Sequence, residues 1–173
     1  MTQAPVEMST SGSYEPPRNR QFSVFLDNRV GKLLDLLDVF EGQMLTLAGL
    51  SVLDSANHAV VRVLTSNADL ARRLLGRNDL PFSECDVLAV EMSEGRSLAM
   101  MSRLLLAAEL NIHYAYPLLV RPRGLPAIVL ACDDPVLAGQ ILRRKHFTLL
   151  AENDMGDNSS RSSPGGPTDP TSN

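Results

Sequence analysis

The spacing of hydrophobic positions along the chain changes at intervals, and each change predicts a new element. Alternation of apolar and polar residues over 21–26 predicts a β-strand whose apolar face is Phe22, Val24 and Leu26. Spacings of three and four residues then predict an amphipathic helix with the stripe Leu33, Leu36, Leu37 and Phe40. Residues 44–53 and 59–64 are predicted to be extended. Asn67 suits the N-cap of a second helix, and the chain is extended again from Phe82.

The same order of patterns then occurs a second time. Residues 85–92 predict a strand, and a second helical stripe consists of Leu98, Met101, Leu105 and Ala108. Extended segments follow at 112–120 and 126–132. The pair Asp134-Pro135 suits the start of a helix, and residues 147–150 predict the last strand.

The hydrophobic patterns of the two halves of the chain can be aligned with each other. An offset of 65 residues places Leu33 on Leu98 and Phe40 on Leu105, and an offset of 67 places Leu74 on Ile141. The difference between the offsets falls in loops, which absorb insertions more easily than packed stripes do. The chain is therefore predicted to be an α+β protein made of two βαββαβ units in tandem. Each unit is a ferredoxin-like arrangement with helices on one face of an antiparallel sheet.

Composition divides the chain into these two units and two tails. We expect unit 1 over 21–84 and unit 2 over 85–151, with almost no linker. Residues 1–20 and 152–173 are rich in small and polar residues and poor in large apolar ones, so both are expected to be disordered.

Charge and composition argue against several classes of protein. The net charge is −4, and only 5% of the residues are aromatic, so a nucleic-acid surface is not expected even though RNA-binding folds share this topology. No apolar run is long enough to cross a bilayer, and no signal pattern stands at the N-terminus. The two cysteines are too few for a disulfide scaffold, which favours a cytoplasmic location.

Residues 22–33 have the sequence Phe-Ser-Val-Phe-Leu-Asp-Asn-Arg-Val-Gly-Lys-Leu, with a glycine between the strand and the helix. This segment resembles the first strand, ligand-binding turn and helix start of the ACT domain, which is present here as a tandem pair. Residues 47–54 resemble its second strand, and residues 111–116 resemble the strand after the first helix in the second copy. The resemblance covers residues 21–150.

The resemblance implies a protein that binds an amino acid or similar small metabolite where two ACT domains pack. The site would lie between the turn after the first strand and the start of the second strand. A turn that opens a helix suits a carboxylate, Gly31 allows a positive φ, and the amide of Asn28 suits both groups of a zwitterion. The residues assigned to the site by this resemblance are Asp27, Asn28, Arg29, Val30, Gly31, Thr46 and Leu47 in unit 1, and Ser93, Gly95, Arg96, Asn111 and Ile112 in unit 2.

Each unit departs from the family pattern in a different place. Val30 stands where a proline is usual, and Thr46 stands where the family often has an asparagine. In unit 2 the turn is one residue shorter and Arg96 falls on the register of Gly31, whereas Asn111 keeps the amide that Thr46 lacks. Two alternatives remain open: one composite site between the halves, or degenerate sites that bind nothing.

The expected function is that of a non-catalytic regulatory protein that modulates a metabolic enzyme and assembles as a homodimer. The alternative is an obligate regulatory subunit of an amino-acid biosynthetic enzyme, for which the small subunit of acetolactate synthase is the model. No cofactor is expected, and the three histidines show no metal-ligand spacing. No catalytic constellation or nucleotide-binding motif can be named, so the chain is not expected to be an enzyme.

Overall fold

The described residues form seven strands, four α-helices and one 3₁₀ helix. A computed structural model describes residues 15–55 and 58–156. The strands are β1 (Asn19–Asp27), β2 (Leu47–Ser55), β3 (His58–Thr65), β4 (Phe82–Glu91), β5 (Ile112–Pro117), β6 (Ala127–Cys132) and β7 (Thr148–Leu150). The helices are α1 (Lys32–Asp38), α2 (Ala68–Arg77), α3 (Leu98–Ala107) and α4 (Pro135–Arg144), and a 3₁₀ helix spans Glu152–Met155.

The two predicted ferredoxin-like units are confirmed, but they share a strand. All strand pairs are antiparallel, in the order β2-β3-β1-β4-β6-β5, with β7 on β4. The segments predicted as two strands, one from Phe82 and one over 85–92, are the single strand β4. Its first six residues pair with β1, and its last four pair with β6. The first half of β4 therefore completes unit 1, and the second half begins unit 2.

Both helical layers lie on the same face of the sheet. Alternate residues of β1 and β3, such as Phe22 and Val63, pack with Leu36 and Leu75 of the unit 1 helices. In unit 2, Leu88 and Val90 of β4 pack with apolar residues of α3 and α4, including Met101, Leu105 and Leu142. The helices thus cover one face of the whole sheet, which we call the outer face.

The opposite, inner face of the sheet folds onto itself. A third core joins Leu64 of unit 1 to residues of unit 2 such as Tyr116 and Val129. The two ends of the sheet meet, since the Leu119 amide donates to the Ala48 carbonyl at 2.8 Å. A Cβ at Gly49 would lie 3.1 Å from the Tyr116 ring, so only glycine allows this close approach without displacing the ring.

A buried polar network lies within this inner core. The Tyr116 hydroxyl donates to Gln21 Oε1 at 2.8 Å, and Gln21 Nε2 donates to the Tyr114 hydroxyl at 2.7 Å. Gln21 is fully buried, and Cys85 Sγ lies 3.4 Å from the Tyr114 oxygen. Burial raises the pKa of both tyrosines, so both stay protonated at neutral pH. The network joins β1 of unit 1 to β5 of unit 2.

Several sequence expectations about packing were wrong in detail. The stripe residues Leu33 and Leu98 are exposed rather than buried. Helix α1 ends at Asp38, so Phe40 is buried in the turn that follows it. The segment predicted to be extended over 44–53 is β2, which begins at Leu47 and continues to Ser55.

The segments expected to be disordered tails fall largely on residues 1–14 and 157–173, which lie outside the described residues. Their inner ends belong to the fold. Asn19 and Arg20 begin β1, and the 3₁₀ helix places Met155 in the inner core. A carboxylate oxygen of Glu152 accepts a hydrogen bond from the Ala68 amide at the start of α2.

We expect Tyr116→Phe to lower the free energy of unfolding by about 1–3 kcal/mol, because it leaves Gln21 Oε1 buried without a donor. Urea denaturation measures the change. Ser83→Ala removes an exposed hydroxyl from β4 and is expected to stay within about 0.5 kcal/mol of the wild type. Equal effects of the two substitutions would contradict a role for the network in stability.

Candidate functional site

The turn between β1 and α1 is exposed and depends on a glycine. Gly31 has φ +92° and precedes α1, and its carbonyl accepts from the Asp35 amide at 2.9 Å. The Arg29 amide donates to the Asp27 carbonyl at 2.8 Å, and the Val30 side chain is fully exposed. No side chain caps α1, whereas the other three α-helices are capped by Asn67, Ser97 and Asp134. The turn is therefore open to solvent.

The Asn28 side chain is held against the end of β2. Its Nδ2 donates to Asp54 Oδ1 at 2.7 Å, and both residues are exposed. Asp27 is also exposed and lies opposite His58 in the β1–β3 register. An amide and two carboxylates thus lie at this end of the unit 1 sheet, where they would favour a cationic group such as an ammonium.

Thr46 and Leu47 lie at the opposite end of the same sheet. Strands β1 and β2 both run antiparallel to β3, so they are parallel to each other, and the start of β2 is remote from the end of β1. Nine residues of strand at about 3.3 Å each separate these ends by roughly 30 Å. Thr46 exchanges hydrogen bonds with Ser66, through its amide at 2.8 Å and its carbonyl at 3.0 Å. Within one unit, the two predicted parts of the site do not meet.

In unit 2, the turn after β4 is folded onto its own domain. Gly95 has φ +74°, and the Arg96 amide donates to the Ser93 carbonyl at 3.0 Å. The Arg96 guanidinium lies 5.8 Å from the centre of the Phe147 ring, and its Nε donates to the His146 carbonyl at 3.4 Å. This arginine therefore covers the end of the unit 2 core.

The start of β5 carries a pair that the sequence did not identify. The Asn111 amide donates to Asp133 Oδ2 at 3.0 Å, and His113 Nε2 lies 2.7 Å from Asp133 Oδ1. The pKa of Asp133 is lowered, first by the hydrogen bond from His113 and then by that from Asn111. Ile112 is half-buried against the unit 2 core. Of the neighbouring residues Asp133 and Asp134, only Asp134 caps α4, where its Oδ1 accepts from the Leu137 amide at 2.8 Å.

The two turns lie at opposite ends of β4. Asn19 pairs with Val87 and Val24 with Phe82, so β1 ends beyond Phe82, whereas the second turn follows Glu91. A ten-residue strand is roughly 30 Å long. The strand register therefore separates the two turns of one chain, whereas the start of β5 lies toward the same end as the unit 1 turn.

Two surface cavities lie beside these residues. A groove of about 260 Å³ along α1 is lined by Leu34, Leu37, Asp38, Phe40, Glu41, Leu45 and Leu47. A polar cavity of about 300 Å³ at the start of α2 is lined by Ser66, Asn67, Ala68, Asp69, Glu152 and Asn153. The groove is lined in part by Leu47, and the polar cavity is lined in part by Ser66, the hydrogen-bond partner of Thr46. Both cavities therefore lie near the start of β2.

The chain consists of two α+β domains in tandem, and each has a turn with a glycine of positive φ after its first strand. The model of the ACT domain pair matches residues 18–158, and the chain belongs to this family. The resemblance stated from the sequence is thereby confirmed.

The fold is shared with solved structures, of which two are described here. A crystal structure of a Bacteroides thetaiotaomicron protein has a TM-score of 0.70 and 24% identity, over 82% of this chain and 97% of that one. The ligand-free regulatory subunit of aspartate kinase from Thermus thermophilus has a TM-score of 0.51 and 7% identity, over 76% and 94%. A comparison with curated protein sequences gave no match.

Two features are absent from the described residues. No helix among them is long and apolar enough to span a bilayer. No group of three or more histidine, cysteine, aspartate or glutamate side chains within residues 15–55 and 58–156 is placed to hold a metal ion.

We expect Gly31→Ala to destabilise the protein by about 1–2 kcal/mol, because alanine disfavours a φ of +92°. Gly76 is the matched control, since it lies inside α2, no heavy atom approaches its added Cβ within 4 Å, and its φ is not positive. Gly76→Ala is expected to stabilise by about 0.5–1 kcal/mol. Thermal unfolding of both variants measures the difference, and destabilisation of equal size would contradict a special role of the turn.

We expect the pKa of the Asp133 carboxyl group to lie below the ordinary aspartate value of about 3.9. His113→Asn should raise this pKa, while the Asn111 amide remains bound. Because the native pKa is lowered, the interaction stabilises the fold above the unfolded-state pKa, and the stabilisation is lost as the pH falls through the native value. Carbon-detected NMR titration provides the measurement, and an unchanged pKa in the variant would contradict the pairing.

Proposed function

We propose that this chain is a non-catalytic regulatory protein that binds an amino acid or a similar small metabolite at an interface between ACT domains. Binding at that interface would modulate a metabolic enzyme. The observation that carries the proposal is the family match over residues 18–158. Within the chain, the exposed turn at 27–31 supports unit 1 as the ligand-binding side.

Within unit 1, the turn and the start of the second strand are too far apart to form one site. Asn28 and Gly31 lie at one end of the unit 1 sheet and Thr46 at the other, while Asn111 and Ile112 start β5 in unit 2. We therefore propose a homodimer, in which the turn of one protomer contacts the start of a second strand in its partner. The coupling would be reciprocal, so that a partner enzyme also changes the affinity for the amino acid.

The chemistry of the unit 1 turn suits a zwitterion. The Asn28 amide oxygen and the carboxylates of Asp27 and Asp54 would accept from an ammonium group, and the uncapped first turn of α1 would offer amide donors to a carboxylate. The turn of unit 2 is less accessible, because Arg96 is engaged with Phe147 and His146. We propose that unit 1 holds the site and that Ser93, Gly95 and Arg96 have a structural role.

The proposal is tested by a thermal shift against all common amino acids, followed by calorimetry. A ligand at about one hundred times its Kd should add about 2.7 kcal/mol to the free energy of unfolding. Asn28→Ala should abolish that shift without changing the unfolding of the free protein. The control is Ser83→Ala, which removes an exposed polar side chain of β4 outside the turn and should leave binding intact. The absence of any shift at millimolar amino acid would overturn the proposal.

A second candidate is an obligate regulatory subunit of an amino-acid biosynthetic enzyme. The fold shared with the Thermus thermophilus aspartate kinase regulatory subunit favours this candidate. Acetolactate synthase is the enzyme to test, since its small subunit carries ACT domains. Addition of the purified chain to the isolated catalytic subunit should change its activity and make it sensitive to an amino acid, whereas no change would exclude this enzyme as the partner.

A further inference from the structure

The curled sheet is closed at one end and open at the other. Strands β2 and β5 are joined at the bridge between Gly49 and Leu118. With distance from that end, the inward-facing side chains of β1 become more exposed: Gln21 is fully buried, Ser23 is half-buried and Phe25 is 44% exposed. We call the opening at the end of the unit 1 turn the mouth of the sheet. Small-molecule sites are frequent in the mouths of β-barrels.

An arginine stands at the base of the mouth. Arg62 of β3 is half-buried, and its guanidinium carbon lies 3.9 Å from the centre of the Tyr114 ring. A guanidinium stacked on an aromatic ring keeps its N–H donors in its own plane, directed away from the ring. Among the described residues, neither a hydrogen-bond acceptor nor a carboxylate pairs with these donors. The stack therefore orients a positive charge that lacks an anion.

Two hydroxyl groups flank this arginine. Ser23 of β1 and Ser51 of β2 are opposite Arg62 in the strand registers, so the three side chains form one row on the inner face. Gln21 Nε2 donates to Ser23 Oγ at 3.5 Å, which leaves the hydroxyl hydrogen of Ser23 available to a ligand. Charge-assisted hydrogen bonds of this kind suit a carboxylate. We call Ser23, Arg62 and Ser51 the polar row.

An apolar row lies beside the polar row, two residues closer to the rim of the mouth. Phe25 of β1 pairs with Val60 of β3, which pairs with Leu53 of β2. Phe25 is 44% and Leu53 50% exposed, and Val60 is half-buried. Three strands at about 4.8 Å spacing make this row roughly 10 Å wide. We call Phe25, Val60 and Leu53 the exposed row, and it offers a surface for the apolar part of a ligand.

The rim of the mouth restricts the ligand to a single negative charge. Asp27 lies two residues beyond Phe25 on the same face of β1, is exposed, and pairs in register with His58. It is roughly 14 Å along the strand from Ser23. A second carboxylate at the far end of a ligand would approach Asp27, which like-charge repulsion disfavours. A polar group on the exposed row would lose its hydration without a partner.

We propose that the mouth binds a small apolar monocarboxylate, with its carboxylate on Arg62, Ser23 and Ser51 and its apolar body on the exposed row. Through the stack of Arg62 on Tyr114, the ligand would connect β3 of unit 1 to β5 of unit 2 and stabilise their packing. The site uses a face of the sheet rather than the turn at 27–31. It therefore goes beyond the proposed function and does not require an amino acid to bind at that turn.

The first test compares three probes of one skeleton by backbone-amide NMR titration of the full chain. The probes are 3-phenylpropanoate, its neutral amide 3-phenylpropanamide, and phenylalanine, which adds an ammonium group. We expect 3-phenylpropanoate to shift the resonances of the exposed row and the neutral amide to bind at least about tenfold more weakly, because it lacks the charge that Arg62 binds. Phenylalanine should also bind these residues more weakly, since its ammonium group would lie on the exposed row.

Two results of this titration would overturn the proposal. One is the absence of any shift with 3-phenylpropanoate up to tens of millimolar. The other is a neutral amide that binds as tightly as the carboxylate, since the guanidinium would then contribute nothing.

The second test removes the guanidinium. Arg62→Met keeps an apolar side chain on the Tyr114 ring and should raise the Kd of 3-phenylpropanoate by at least about tenfold. Arg73→Met is the matched control, because it removes the same charge from an exposed position of α2 on the outer face. The control should bind like the wild type, and equal losses in the two variants would contradict a specific role of Arg62.

The third test changes the exposed row and does not depend on the fold of the arginine variant. Leu53→Asn should weaken the binding of 3-phenylpropanoate several-fold, because it removes apolar contact. Val52→Asn is the matched control, since Val52 is also 50% exposed but points to the outer face. Circular dichroism checks the fold of both variants, and equal binding by both would overturn the assigned pose.

The outcomes separate this inference from the proposed function. Asn28→Ala should leave the binding of 3-phenylpropanoate unchanged, and failure of every amino acid to shift the unfolding transition would not affect the mouth. A mouth occupied by a second chain is the competing result. A dimer that 3-phenylpropanoate leaves intact and that Leu53→Asn dissociates would overturn the ligand site while leaving amino-acid binding at the turn in place.

Discussion

The structure depends on one constraint, that β4 belongs to two sheets at once. Its first half completes the unit 1 sheet beside β1, and its second half starts the unit 2 sheet beside β6. Along this one strand, the helices of both units lie on the outer face, and the inner core lies on the other. This shared strand replaces a linker, so the two units cannot rotate as independent domains. The sheet must instead curl until its ends meet at Gly49 and Leu118.

The same constraint separates the candidate site into parts. Turns that follow first strands lie at opposite ends of β4, and each second strand starts at the end of its sheet remote from its own turn. Because β5 is parallel to β4, the start of β5 lies toward the end of the molecule that carries the unit 1 turn. Unit 2 covers only the half of the inner face around Gln21 and leaves Phe25 44% exposed toward that same end.

Much of the fold could be predicted because periodicity and offset are local signals. The alternation in β1 and the caps Asn67 and Asp134 were correctly located. The shared strand could not be predicted in the same way, because two adjacent extended segments have the same pattern whether or not they join. The Gln21 network depends on side chains 93 and 95 residues away, which no spacing rule connects. For the site, the parallel direction of β1 and β2 follows from the βαβ crossover and could have excluded a site within one unit.

The first and last strands of the fold occupy the same edge of β4. Strand β7 pairs with residues 89–91 and β1 with residues 82–87, so the two lie end to end, and Asn19 Nδ2 donates to the Leu150 carbonyl at 3.0 Å. The end of β7 thus lies beside the start of β1, so the strand pairs do not depend on which of the two strands comes first in the sequence. A circular permutant that joins these neighbouring positions through a short bridge and opens in an exposed loop such as 121–125 would keep every strand pair.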